Sequence, residues 1–187
     1  MTKALRIGCG AGYAGDRIDP AVTLAERGNL RYLCFECLAE RTIAIAQLEK
    51  AADPGKGYGP FLEERMEAVL PFCARDGLVV VTNLGAANPP AALEKTLEIA
   101  RRLGAGPLRI GAVTGDDVLE TVLAGNDLVA ETGAPVRDLG DRLLSANAYL
   151  GVEAILPALR AGCRVVLTGR VADPSLFLAP MIHEFQW

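Results

Sequence analysis

The sequence predicts an α/β protein: an open, mostly parallel sheet with helices on both faces, doubly wound and Rossmann-like. Three observations predict it. Short apolar runs alternate along the chain with longer stretches of helical periodicity. One run, Leu78-Val-Val-Val-Thr82, is apolar almost throughout, the pattern of a strand covered on both faces. Polar residues and glycines follow each run, where a strand would end in a turn. Such alternation implies parallel strands joined by right-handed crossovers.

The elements follow in order. Residues 4–9 form the first strand and exit into a glycine-rich segment. Asp19 and Pro20 open a short helix, with Asp19 as its cap, and Gly28 closes it. Residues 30–36 are the second strand and 38–52 a helix, with Ile43, Ala46 and Ala51 among its apolar positions. The loop 53–60 is dense in Gly and Pro, and 61–75 is a helix that Pro71 should bend or divide. The third strand, 78–82, leads to a helix over 90–103 that Gly104 ends; the fourth, 108–113, leads to one over 117–123. Residues 125–144 are less regular. Ser145, as N-cap, precedes a helix over 149–161. The fifth strand is 164–168, and a last helix begins near Asp173-Pro174. The 187 residues suit one α/β domain over 1–187.

Hydrophobic residues make up 51% and charged residues 22%, enough apolar material for a buried core. The net charge of -4 and the absence of a basic stripe argue against nucleic acid and anionic membrane as partners. No apolar run is long enough to span a bilayer, and the start runs directly into a strand without a signal peptide's apolar region, so a cytoplasmic location is expected. The five cysteines, Cys9, Cys34, Cys37, Cys73 and Cys163, are odd in number and sit in apolar stretches, so free, buried thiols are expected. Cys34 and Cys37 form a C-x-x-C that begins inside a strand, with no second pair to complete a zinc site, so no metal is expected there.

In an open parallel sheet, ligands bind beyond the carboxyl ends of the strands. The first exit carries Gly10, Gly12, Gly15 and Asp16; the second, Glu36, Glu40 and Arg41; the third, Asn83, Gly85 and Asn88. The fourth carries Thr114, Gly115, Asp116 and Asp117, and the fifth Thr168, Gly169, Arg170 and Asp173. Five polar exits predict a shared cleft. Gly10, Gly12 and Gly15 fit G-x-G-x-x-G, and Glu36 stands where a ribose-binding acid would. Yet the helix starts after the glycines, at Asp19, and Asp16 would set negative charge beside a pyrophosphate. A dinucleotide site, a turn admitting another ligand and a structural turn all stay open. His183 is the only histidine and the one candidate imidazole base. Ser145 and Asn147 are a candidate nucleophile and binder, although no G-x-S-x-G elbow and no Walker lysine motif occurs.

Gly12-Tyr-Ala-Gly-Asp-Arg17, Leu38-Ala-Glu-Arg-Thr42, Asp53-Pro-Gly-Lys-Gly-Tyr58, Thr82-Asn-Leu-Gly-Ala-Ala-Asn-Pro89 and Val113-Thr-Gly-Asp-Asp117 occur in order. Ser145-Ala-Asn-Ala-Tyr-Leu-Gly151, Leu167-Thr-Gly-Arg-Val-Ala-Asp173 and His183-Glu-Phe-Gln-Trp187 follow. Together they resemble the N-terminal region of the acyclic terpene utilisation AtuA family, over essentially the whole chain. The resemblance implies a role in breaking down acyclic terpenes such as citronellol and geraniol, or related branched acids carried as coenzyme A thioesters. It also implies that members continue beyond the last motif, so part of the site is expected to be missing, and that a glycine would stand at Gln186.

The leading expectation is lyase or hydratase chemistry on a small carboxylate or branched acyl-CoA. Glu36, Asp116 and His183 are the candidate catalytic residues, with Glu36 or Asp116 as general base. Arg170 is expected to hold a carboxylate through paired hydrogen bonds, while Asn83, Asn88, Asn147 and glycine N–H groups stabilise an enolate oxygen. Asp16, Glu36, Asp116 and Asp173 offer the alternative of a Mg²⁺ site. An NAD(P)- or nucleotide-dependent oxidoreductase and a non-catalytic assembly subunit are the other readings. The apolar residues Phe177, Leu178, Met181, Ile182, Phe185 and Trp187 predict self-association, most simply as a dimer.

Overall fold

The strands form because each apolar run is bounded by residues that break or turn the chain. In a computed structural model that describes residues 4–187, these are β1 (Ile7–Ala11), β2 (Tyr32–Phe35), β3 (Val79–Thr82), β4 (Ile110–Val113) and β5 (Val165–Thr168). They make one sheet in the order β1-β2-β3-β5-β4. Every neighbouring pair is parallel, so all five carboxyl ends lie on one edge. β2, β3 and β5 are buried at every position, as strands covered on both faces must be.

Among the described residues the α-helices are α1 (Asp19–Arg27), α2 (Glu40–Ala52), α3 (Leu62–Arg75), α4 (Pro89–Arg102), α5 (Leu119–Ala124), α6 (Val152–Arg160) and α7 (Ser175–Phe185). Successive side chains of a strand point to opposite faces, and the helices divide accordingly. Leu33, Phe35, Val80 and Val165 pack with Ala21 of α1, Met66 and Val69 of α3 and Ile99 of α4. Tyr32, Cys34, Val81 and Val166 pack with Ile155 and Leu159 of α6 and Leu176 of α7. Burying each large aliphatic side chain contributes about 1.5–3 kcal/mol, so these two layers supply most of the drive to fold.

α2 joins neither layer. Its only buried residue is Ala46, and Ile45 and Leu48 stand exposed. It lies over the carboxyl edge instead. Ala46 packs with Leu38, Ala86 and Ala87, Gln47 Nε2 donates to Asn147 Oδ1 at 3.3 Å, and Lys50 lies 3.6 Å from Asp117.

Several local expectations change. β1 runs on to Ala11 through a bulge after Cys9. Asp19 is the first residue of α1 rather than its cap; its carboxylate instead accepts Arg17 Nε and Nη2 at 3.0 and 2.6 Å. Pro71 lies inside α3 without dividing it. Ser145 caps no helix: α6 starts at Val152 after Gly151, and the stretch before it makes bridges Asp117–Asn147 and Leu150–Val171. Cys34, Cys37, Cys73 and Cys163 are buried free thiols, but Cys9 is exposed because β1 is an edge strand. Burial pushes the Cys37 and Cys73 thiols up to about 12. Among the described residues, no helix is long and apolar enough to cross a membrane.

Candidate functional site

Neighbouring strands β3 and β5 lead into helices on opposite faces, α4 and α7. Where this happens a crevice opens beyond the carboxyl ends, the usual place for a ligand. Here the chain fills it. Gly85 comes so close to the β5 exit that a Cβ on it would lie 2.5 Å from the Thr168 carbonyl oxygen. Leu84, Ala86 and Ala87 are buried, with Leu38 and Ala46 packed against the last two. The five exits share an edge, as predicted, but its polar groups divide into separate bonded clusters.

The first cluster centres on Arg170, which is 4% exposed. Its Nη1 donates to the Leu38 carbonyl, and its Nη2 to Glu40 Oε1 at 3.1 Å and to the Tyr149 hydroxyl. The guanidinium also stacks on the Tyr149 ring, 4.0 Å from its centroid. Asp173 lies 4.0 Å away on the exposed side. A hydrogen bond from the Tyr149 hydroxyl, helped by the charge of Arg170, holds the Glu40 carboxyl below its usual range. Arg170 therefore clamps the start of α2 to the β5 exit through three of its five N–H donors.

The second cluster centres on Asp116, 4% exposed. Its Oδ2 accepts the Arg170 N–H at 2.8 Å and Asn147 Nδ2 at 3.1 Å. A Cβ at Gly169 would meet that oxygen at 2.5 Å, so only glycine lets the carboxylate sit there. The Thr168 hydroxyl turns inward to the Gly169 carbonyl at 3.0 Å. Thr114 and Gly115, just before Asp116, are exposed.

The third cluster holds Glu36, which is half-buried between the first and third exits. Its backbone N–H donates to the Ala11 carbonyl at 2.9 Å. Oε1 accepts Asn83 Nδ2 at 3.0 Å and the Leu38 N–H at 3.1 Å, while Asn83 Oδ1 accepts the Cys37 N–H at 2.7 Å. One carboxylate oxygen is thus fixed by two donors. The other, Oε2, has no hydrogen bond among the described residues. Asn88 is tied to the scaffold: Nδ2 donates to the Pro54 and Lys56 carbonyls at 2.8 and 2.7 Å, and Oδ1 caps α4 by accepting the Ala91 N–H.

The glycine segment folds on itself. Asp16 Oδ2 accepts the Gly12 N–H at 2.9 Å, and Gly10 lies against the Phe35 ring. Arg65, fully buried between Phe35 and Phe61, donates through Nη2 to the Ala14 and Asp16 carbonyls at 3.0 Å each. α1 begins beyond the loop, so no helix N-terminus faces the glycines. Gly10, Gly12, Gly15 and Asp16 border a cavity of about 520 Å³.

A cavity of about 850 Å³ is a groove between α2 and α3. Ile45, Ala46, Pro60, Phe61 and Leu62 give it apolar walls; Glu49, Asp53, Glu63, Glu64 and Glu67 make an acidic rim with Lys56. Phe61 adopts φ of 59°, a left-handed conformation uncommon for a bulky residue.

His183 does not join this set. α7 carries it back to the amino edge, where it lines a cavity of about 140 Å³ with Arg31, Tyr32 and Arg164. A strand length, about 13 Å, separates the two edges. Nor do Asp16, Glu36, Asp116 and Asp173 converge as a Mg²⁺ site would need: among the described residues, no three His, Cys, Asp or Glu side chains group so as to hold a metal. Sequence reasoning missed the roles of Gln47, Glu40, Tyr149 and Arg65. Glu40 and Tyr149 lie inside recurring motif segments and were discoverable there; Arg65, flanked by Glu64 and Met66, carries no such signal.

The profile of the acyclic terpene utilisation family protein AtuA matches residues 5–187. The chain belongs to that family. Its motif segments are the ones that build the carboxyl edge: Leu38 and Glu40 under Arg170, Asn83 against Glu36, and Asp116 against Asn147. Searches of the curated proteins and of the solved structures found no match.

Proposed function

We infer from membership of the AtuA family that the chain has a role in acyclic terpene utilisation. We propose that the chain fulfils it by acting on a branched acyl-CoA or small carboxylate with lyase or hydratase chemistry. The observation that carries this reading is Glu36: one oxygen is fixed by Asn83 and Leu38 and the other has no hydrogen bond. A carboxylate held this way is oriented yet able to accept a proton. In the elimination direction Glu36 takes the proton from Cα, the freed pair forms the Cα–Cβ double bond, and the β-hydroxyl leaves as water after protonation by solvent. Asn88 spends both amide N–H donors on the Pro54 and Lys56 carbonyls and Asn83 one on Glu36, so N–H groups of the glycine segment other than that of Gly12 are assigned to stabilise the enolate oxygen. The apolar groove between α2 and α3 suits a branched hydrocarbon chain, within the usual volume range of ligand pockets.

The test is turnover of a panel of branched acyl-CoA thioesters and their free acids, with and without divalent metal. Glu36→Gln should lower the rate at least about 100-fold. A second reading, a non-catalytic assembly subunit, draws support from how many polar groups are tied to the scaffold. Binding without turnover across the panel would favour it and count against the enzyme. The folded glycine segment predicts no binding of NAD or NADP at millimolar concentration.

A further inference from the structure

The amino edge carries a feature that the carboxyl-edge chemistry does not use. Arg109 and Arg164 precede β4 and β5, which pair in register from Ile110 and Val165. The Arg164 N–H donates to the Arg109 carbonyl at 2.7 Å, so the two residues are neighbours across the strands. Like charges side by side on a sheet repel one another. No ion pair among the described residues engages either arginine. Both line a cavity of about 570 Å³, together with Gly77, Gly106 and Gly162, and no Asp or Glu lines it. A smaller cavity of about 140 Å³ shares Gly162 and Arg164 and adds His183 and Arg31. His183 Nδ1 is buried there with no hydrogen-bond partner among the described residues.

Both arginines have a structural duty. Arg109 Nη1 donates to the Ala161 carbonyl beyond α6, and Arg164 Nη1 to the Gly77 carbonyl at 2.8 Å. Each bond uses one of the five donors of a guanidinium. The remaining donors have no hydrogen-bond partner among the described residues. Two arginines lining one open, carboxylate-free cavity match a tetrahedral dianion better than a carboxylate, which one guanidinium already satisfies.

We propose that Arg109 and Arg164 form a binding site at the amino edge for the phosphate group of a small soluble anion. The site is separate from Glu36 and does not depend on the acyl-CoA reading. The cavity has room for a phosphoester larger than the free ion.

The test is calorimetric titration of the whole chain with inorganic phosphate and with pyrophosphate, ionic strength being held constant with sodium chloride. Saturable binding is expected, at least tenfold weaker in Arg109→Gln or Arg164→Gln and lost in the double variant. Arg109 is exposed, so its replacement should leave the circular dichroism spectrum unchanged. Tighter binding of pyrophosphate than of phosphate would assign the site to a diphosphate ester, and equal binding to a monoester or the free ion. Glu36→Gln should bind phosphate as the parent does, which keeps a failure of the acyl-CoA reading distinct. Absence of saturable binding, unchanged binding in the double variant, or acetate binding as tightly as phosphate would overturn the proposal.

Discussion

The two edges of the sheet handle charge in opposite ways. At the carboxyl edge Asp116 bonds to Asn147 and the Arg170 N–H, Arg170 to the Leu38 carbonyl and Asn83 to Glu36, and α2 lies over this edge. At the amino edge Arg109 and Arg164 stand on an open cavity without a carboxylate. Polarity in the sequence marks both, yet most of the polarity at the first edge holds α2 and the exit loops in place. Functional capacity there has to be read from what the scaffold leaves over, which is Glu36 Oε2 and the apolar groove. At the second edge the unrelieved charge is itself the signal.

The largest contrast should come from glycines. Gly85→Ala would drive a Cβ against the Thr168 backbone and should destabilise the fold by about 3 kcal/mol, the upper end for overpacking. Gly106→Ala meets nothing within 4 Å but sits at φ of 73°, so a cost of about 1 kcal/mol is expected. Chemical denaturation measures both, and equal costs would show that the crevice between β3 and β5 is not closed.

The arginines should divide in the same direction. Arg170→Gln leaves the buried Leu38 carbonyl without its partner and should cost about 2–3 kcal/mol. Arg109→Gln should change stability by no more than about 0.5 kcal/mol. A cost at Arg109 as large as that at Arg170 would mean that the amino edge, too, is scaffold.

The buried thiols give a test in alkali. The unfolded Cys37 and Cys73 thiols ionise near pH 9, whereas the folded ones wait until about 12. Their contribution is complete below pH 9 and is lost as pH rises from 9 to 12, at up to about 1.4 kcal/mol per pH unit for each thiol. Cys73→Ala should flatten that slope in urea titrations at successive pH values. A slope that does not change would place the loss elsewhere. A small gain is expected at Gln186, the residue that follows α7, where φ is 57°. Gln186→Gly should raise stability by about 0.5–1 kcal/mol, read as a small increase in Tm.

The strands were legible because their apolar runs are short and bounded by polar exits, and all five exits do share one edge. The position of α2 was not legible. Ile43, Ala46 and Ala51 recur at helical spacing, which reads as a face laid on a sheet, yet only Ala46 is buried. Its partners, Ala86 and Ala87, lie in a loop that periodicity does not describe. His183 was grouped with Glu36 because both suit acid–base work; the helix after the last strand runs back along it and reverses that placement. Arg65 was hidden for a related reason: Phe61 lies one turn before it, but the rest of its buried environment comes from Phe35 and the glycine segment, far from it in sequence.

The most direct test of the account is hydrogen exchange of the whole chain with and without a branched ten-carbon free acid, which carries no phosphate. The account predicts slower exchange at residues 36–52 and 58–67, around Glu36 and the groove, with no change at 103–109 and 161–164. Protection confined to the amino-edge segments, or none at saturating acid, would contradict it.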